Sequence, residues 1–532
     1  MLTRHPLRTA ALAYTATMAL LSGAFLPAAG AAPPAAPAPA LPAAPAPDPG
    51  PPPASGPQEP LAERGTRTER QRALDALAYP GAGAPAPAGE FGLAAGSALG
   101  GRIADLDAAL PKQGVQNLLS QANRTLRTGA ACPDPFGVGD PVSGTDPTPK
   151  PPLEPAELYC FENDDTVTTE WIPQAVTGVS DAQQDEVWGE SSRPLITGWY
   201  DSQNPGRGNG CTPSESDACN EKGVRISFID PETRTYRHVL LVWAYYNSYG
   251  NISFDAVHAS ESPLQNGIHA GGMVWYGNYL YVADTFNGIR VFDMRFIMDL
   301  NPDQDASRDD PTPDGLTSNV RDKRQVGRQN GVWYGYGYRY VMPQVASWQF
   351  SSTQYNTGSS SSCADVGAPR ASYLSLDRSG TDQLLLGEYC RPSTALPSTG
   401  RVGAYPVAAL AATTGSVRAA SGTTYFLPVH QVQGAVRYHG DWFINQSHRY
   451  SNGSLWRARV TAGSLTLTGG ELRTAVGPED FSYEHGETTG RPARLWSVSE
   501  HRHTIDDPSC TGNTPCGRVL YAHLASDILA EP

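Results

Sequence analysis

Beyond residue 31 the chain has no apolar run of the roughly 20 residues that a bilayer-spanning helix needs. Positive charge is in deficit. The chain has 39 Lys and Arg against 53 Asp and Glu, a formal net charge of −14. Phosphate binding needs a basic face, so nucleic acid is not an expected partner. The eight cysteines include no CxxC pair of the kind that holds zinc. There is no P-loop, no G-x-S-x-G and no HExxH, which removes the usual signs of phosphate cradling, a nucleophile elbow and a helical zinc protease. The serine cluster GSSSSC at 358–363 reads as a flexible loop, not as part of a triad.

What is present changes along the chain. Arg4 and Arg8, an apolar core over 10–26, and Ala29-Gly30-Ala31 read as a secretory signal peptide over 1–31. Residues 32–60 are nearly all Pro, Ala and Gly, the composition of a disordered linker. Residues 61–130 carry helix formers. Ile103, Leu106, Leu110, Val115, Leu118 and Leu119 would make one apolar side of a small helical region. Residues 131–158 read as a loop, and 159–532 are strand-rich. An even cysteine count in an exported chain predicts disulfides. Proximity suggests Cys211 with Cys219, Cys510 with Cys516, Cys363 with Cys390, and Cys132 with Cys160.

The strand-rich part repeats. HAGGMVWYGNYLYVADTFNGIRVFDM (269–294) holds three short strands with tight turns, too few to bury a two-sided sheet alone. Its second strand recurs as PLITGWYDS, QLLLGEYCR, WFINQSHR and LWSVSEHRH, and its third as VRISFID, GRVGAYPV, SLWRARV and GRVLYAHL. First strands are expected at TGVS, AGGMVW, ASYLSL, QGAVRY and EDFSY. Outer strands are expected at VTTEWIPQAV, YRYVMPQVAS, TYFLPVHQVQ and LRTAVGPED. A repeated four-strand unit predicts an all-β fold, a five-bladed β-propeller. The strand over 167–174 would close the ring by completing the last sheet. Because 345–350 and 371–376 compete for one first strand, six blades is the alternative.

YLYVADTFNGIRVFDM resembles the repeat of the LVIVD- and NHL-like β-propeller superfamily. The resemblance implies a fold and no particular activity. It also implies that the ends of the second strands and the turns leading into the first strands share one face. The second-strand ends read Asp201, Asp284, Glu388, Gln446 and Glu500. The turns offer His269, Gln344, Gln431, Gln433, Glu479 and Asp480.

Carboxylates crowded at one mouth cannot all ionise cheaply, so some pKa values should rise. A raised acid beside an ionised one is the equipment of glycosidic cleavage. Several five-bladed propellers are glycosidases with carboxylates at this mouth. The catalytic pool would be Asp284, Glu388, Glu479, Asp480 and Glu500, with Asp201, His269, Gln344, Gln433, Gln446 and His501 as ligand contacts. Trp199, Trp442, Trp496 and the aromatic run 332–340 would supply stacking faces.

Two metal patterns also stand out. In DLNPDQDASRDD, Asp299, Asn301, Asp303, Asp305, Ser307 and Asp310 follow the rhythm of an EF-hand calcium loop. Gln304 replaces the turn glycine, however, and Asp310 is shorter than the usual Glu. In EHRH, His501 and His503 share a strand face and could hold zinc with His485 or Glu484. No cofactor is demanded by the sequence, and calcium is the main candidate. The expected role is a secreted recognition or scaffold protein, extracellular or in the cell wall. It would bind a glycan or another secreted or cell-wall protein at an acidic centre. The alternative is a glycoside hydrolase.

Overall fold

The computed structural model describes residues 79–531 apart from residue 80 and the segments 137–151, 190–192, 203–219, 259–267, 303–309, 312–315, 353–360, 394–395, 449–450 and 502–516. The expected signal peptide, the linker, Cys211, Cys219, Asp303, Asp305, Ser307, His503, Cys510 and Cys516 lie outside the described residues.

The protein is mostly β, built from several sheets. After several two- and three-residue strands, strand β1 (Glu157–Cys160) precedes the repeated units. The first four-strand unit follows as β2 (Trp171–Gly178), β3 (Leu195–Asp201), β4 (Val224–Asp230) and β5 (Thr235–Tyr246). The second unit is β6 (Met273–Tyr276), β7 (Tyr279–Asp284), β8 (Gly288–Asp293) and β9 (Tyr340–Phe350). The third is β10 (Tyr373–Asp377), β11 (Gln383–Gly387), β12 (Arg401–Pro406) and β13 (Tyr425–Phe426). The fourth is β14 (Val432–Tyr438), β15 (Asp441–His448), β16 (Ser451–Thr461) and β17 (Leu472–Val476). The last holds β18 (Ser482–Glu484), β19 (Arg494–Val498) and β20 (Val519–Leu524), and β1 pairs with β20 to complete it. The first two units fuse into one sheet, because β9 pairs in parallel with β5 over Val341–Pro343 and Leu240–Val242.

Each unit is a meander whose turns the sequence specifies. Between β6 and β7 the chain reverses at Gly277, whose φ of +56° costs a glycine little. The strands read as near-continuous apolar runs because both faces of each sheet are covered. β8, for example, is buried at every position.

The innermost strands β2, β6, β10, β14 and β18 neighbour one another in a closed cycle. They approach very closely. A Cβ on Gly272 would stand 2.1 Å from the backbone N of Leu374 in β10. Neither backbone can yield without shifting a strand, so Gly272→Ala is expected to cost about 1–3 kcal/mol. A urea-unfolding midpoint unchanged from that of the parent would refute this close approach.

Three strand assignments are corrected. The segment 167–176 is not an outer strand. Trp171–Gly178 is buried throughout and pairs with β3 as the innermost strand of its sheet, so TGVS is only its end. Closure falls to Glu157–Cys160, which straddles the expected boundary at 158 between the loop and the strand-rich part. The competition between 345–350 and 371–376 resolves in favour of the latter. Residues 345–350 belong to β9, the outer strand of the second unit, while 373–377 opens the third. The outer strand of the first unit, TYRHVLLVWAYY, was missed although it is twelve residues long.

Two helices, α1 (Gly100–Ala109) and α2 (Val115–Ser120), make no core of their own. Ile103, Leu106 and Leu110 pack with Leu240 and Ala244, and Val115, Leu118 and Leu119 pack with Val224 and Val239. Disulfides join Cys132 to Cys160 and Cys363 to Cys390, the partners that proximity suggested. The first ties down the closing strand. Among the described residues, no helix is long and apolar enough to cross a membrane.

Candidate functional site

The second strand of each unit ends beside the start of the first, as Asp201 pairs with Trp171 and Gln446 with Val432. At this end of the ring the fifth unit contributes Glu479 and Asp480, just before β18, and Glu500, just after β19. The Glu479 and Glu500 carboxyls are within hydrogen-bonding reach of each other. Glu479 is 1% exposed, whereas the Glu500 side chain is 22% exposed.

Two glutamines hold the pair, and both come from β-bulges. The register of β2 against β3 shifts at Gln174, and that of β14 against β15 shifts at Gln433. A bulge turns a side chain out of the regular alternation. Gln174 Nε2 donates to Glu500 Oε2 at 3.1 Å, and Gln433 Nε2 donates to Glu479 Oε1 at 3.0 Å. Asn445 Nδ2 donates to the Glu479 carbonyl at 2.7 Å and fixes the backbone beneath the carboxyl.

The surroundings are aromatic. The rings of Tyr200 and His269 lie 4.2 Å apart. Tyr389 receives a hydrogen bond from Gln431 Nε2 at 3.2 Å. Gln431 holds a φ of +54°, a conformation that side-chain-bearing residues rarely adopt and that clusters at functional sites.

Burial pushes the Glu479 carboxyl well above its ordinary range, and the neighbouring Glu500 and Asp480 push it further. Glu479 therefore keeps its proton where an ordinary glutamate would not. Burial also raises Tyr200, with Glu500 and Glu479 adding to the effect. It raises Tyr389 to about 12. Burial lowers His269 although Glu500 opposes it, so the imidazole is neutral at neutral pH. Asp480 is raised by burial and fully enclosed. Its Oδ2 accepts the Met273 backbone N–H at 3.1 Å.

The other acids of the expected pool are engaged elsewhere. Both Glu388 oxygens accept from Arg401, through Nε at 2.8 Å and Nη2 at 3.1 Å, and from the backbone N–H of Arg370 and Arg401. Asp284 accepts from Arg290 Nε at 2.7 Å and from Asn287 Nδ2 at 3.1 Å. A carboxylate clamped by a buried guanidinium is neutralised and held, so the five acids of the expected pool divide into the Glu479–Glu500 pair, two ion pairs and the enclosed Asp480. Gln344 accepts from Arg290 Nη1, and Gln446 accepts from Trp456 Nε1. Asp201 accepts the Lys222 backbone N–H. His501 lies 3.7 Å from Glu500.

The expected stacking faces are core residues. Trp199, Trp442 and Trp496 are almost fully buried, as are Trp333 and Tyr340 in the run 332–340. The sheets face one another around the ring, so large aromatics fill the gaps between them. Tyr200 and Tyr389 instead approach the pair, each one residue from an aligned acid, Asp201 and Glu388. Alternation along a strand sends neighbours to opposite faces, so the aligned position pointed to the right place and the wrong residue.

The metal patterns are not supported by the described residues. Both Asp299 oxygens accept from Arg339, at 2.7 Å each, and a guanidinium stands where a cation would sit. Asn301 donates its backbone N–H to Asp299, and Asp310 begins a two-residue strand. His485 and Glu484 lie at the far end of β18, beside Glu186 and Arg193, away from His501. Among the described residues, the one group of three close metal-type ligand atoms is Cys363, Glu388 and Cys390, and its two cysteines are disulfide-bonded to each other.

No protein-family model and no curated protein matches the chain. A GH43_1 enzyme from Xanthomonas citri complexed with xylose is similar at 8% identity, covering 68% of this chain and 90% of its own, with a TM-score of 0.30. A luciferin-regenerating enzyme is similar at 9% identity, covering 67% and 92%, with a TM-score of 0.26. A 6-phosphogluconolactonase of Bacteroides fragilis is similar at 13% identity, covering 56% and 94%, with a TM-score of 0.19. Likenesses this slight carry nothing about chemistry.

Proposed function

We propose that the five units form a closed five-bladed β-propeller, and that its Glu479–Glu500 end binds a neutral, hydroxyl-rich ligand, with a glycan as the class. Contact between Glu479 and Glu500, braced by two bulge glutamines, carries this reading. A protonated acid, a neighbouring carboxyl, amides and phenol groups offer donors and acceptors side by side, as sugar hydroxyls require. Tyr200, His269 and Tyr389 add apolar ring surface. Two disulfides fit an exported protein that works outside the cytoplasm.

Binding is favoured over glycosidic cleavage because Asp284 and Glu388 are clamped by arginines and Asp480 is enclosed, which leaves only Glu479 and Glu500, and these engage each other. Cleavage needs room between two carboxyls for the anomeric carbon or a water.

Calorimetry against a glycan panel tests this. Wild type is expected to bind at least one member without releasing product. Glu500→Gln is expected to weaken binding about tenfold, close to 1.4 kcal/mol. If no glycan binds, or Glu500→Gln binds unchanged, the reading fails. Product release abolished by Glu500→Gln would make the protein a hydrolase.

A further inference from the structure

A second polar site lies at the opposite end of the inner strands. The ends of β10 and β14 and the turns after them frame a groove of about 610 Å³, lined by Asp377, Gln383, Arg437 and Arg459 among others. Arg437 forms its floor. Its side chain is 18% exposed and its guanidinium lies over the Trp442 ring, 5.6 Å from the centroid. Arg437 donates through Nε to Asp377 and through Nη2 to Gln383 Oε1. Arg459 donates through Nε and Nη2 to the two oxygens of Asp441.

The unused groups decide what the groove can take. Asp377 accepts from Arg437, from the Ser379 backbone N–H and from the Ser379 hydroxyl. Both Asp441 oxygens accept from Arg459. Each of these two carboxylates is therefore already paired with an arginine. Nη1 of Arg437, Nη1 of Arg459 and Nε2 of Gln383 have no hydrogen-bond partner among the described residues, and all are donors. Of the charged residues lining the groove, two are arginines and one is an aspartate. Arg437 is also pre-set, because Asp377, Gln383 and Trp442 hold its plane while one edge stays uncommitted.

We propose that this groove is a binding site for an oxyanion, the carboxylate or phosphate group of a small ligand, gripped by the free edges of Arg437 and Arg459 with Gln383 as a third donor. Charge-assisted hydrogen bonds from guanidinium to carboxylate or phosphate are the strong ones, and they weaken as salt rises. The site is separate from the Glu479–Glu500 end and does not depend on the ligand proposed there.

Isothermal titration of the disulfide-bonded chain at low salt, with inorganic phosphate and D-glucuronate as probes and D-glucose as the uncharged control, tests this. At least one anion is expected to bind, glucose not to displace it, and added sodium chloride to weaken the interaction. Binding of phosphate alone identifies a phosphate site, and binding of glucuronate alone a carboxylate site. Arg459→Gln changes an exposed residue and is expected to weaken binding about tenfold with an unchanged melting temperature. Arg437→Lys keeps the charge, loses the fork and is expected to weaken binding as much. Glu500→Gln should leave anion binding intact. If neither anion binds, or if both arginine variants bind as wild type does, the proposal is overturned.

Discussion

Replacing Arg401 by leucine is expected to cost about 3–5 kcal/mol of stability, because it strands Glu388 as an unpaired buried charge. Both side chains are 1% exposed, so water cannot solvate the orphaned carboxylate. Two backbone N–H donors would remain on it, from Arg370 and Arg401 itself, and they offset only part of the loss. Adding Glu388→Gln should recover part of the stability, since glutamine carries no charge and its one carbonyl oxygen still accepts from one of those two N–H groups. The measurement is a urea-unfolding midpoint for the parent, the single and the double variant. A loss below about 1 kcal/mol in Arg401→Leu, or no recovery in the double variant, would mean that Glu388 is not held as a structural ion pair. The same series bears on function, because an acid clamped in this way is unavailable to a ligand.

The second large effect is a dependence of stability on pH. Asp181 follows β2 and is buried, and burial raises its pKa from 3.8 to about 6. Hydrogen bonds to its Oδ2 from Thr177 and Ser482, each 2.8 Å, and the Arg378 charge pull the other way without winning. Thr177 belongs to the first unit and Ser482 to the last, so this acid sits at the seam where the cycle of inner strands closes.

A carboxyl whose folded pKa exceeds its unfolded value binds protons more tightly when folded. Stability from this group is therefore greatest below about pH 4 and is lost as pH rises through about 6, by roughly 3 kcal/mol in all. Burial raises Glu479 and Asp480 in the same direction, which adds to the fall on the alkaline side. Unfolding midpoints between pH 4.5 and 7.5 are expected to decline, and Asp181→Asn to show a shallower decline. Equal slopes for the two proteins would show that Asp181 titrates alike folded and unfolded.

Much of the fold was legible. The second and third strands of all five units stand in the chain as apolar runs between turn residues, and the structure has strands at each of them. First and outer strands were harder, because a single run such as WIPQAVTG serves either place and only its neighbours decide. β5 was missed for a related reason. It is apolar along most of its length because β9 and α1 cover it, and those contacts come from residues at least 90 positions away.

The site was legible as a position and not as chemistry. The aligned strand ends marked where acids collect. They could not tell that Arg290 and Arg401 would claim Asp284 and Glu388, leaving Glu479 against Glu500. Gln174 became a site residue through a bulge that no local pattern announces.

The amino-acid order by itself determined the low positive charge, the repeat of short strands and the placing of acids at strand ends, since each follows from local composition and the two-residue alternation of a strand. Tertiary structure decided which strand closes the ring, which acids keep a countercharge and which are buried against another acid. Those outcomes depend on distances between residues far apart in the chain, and electrostatic energy is set by distance and burial, neither of which sequence spacing encodes.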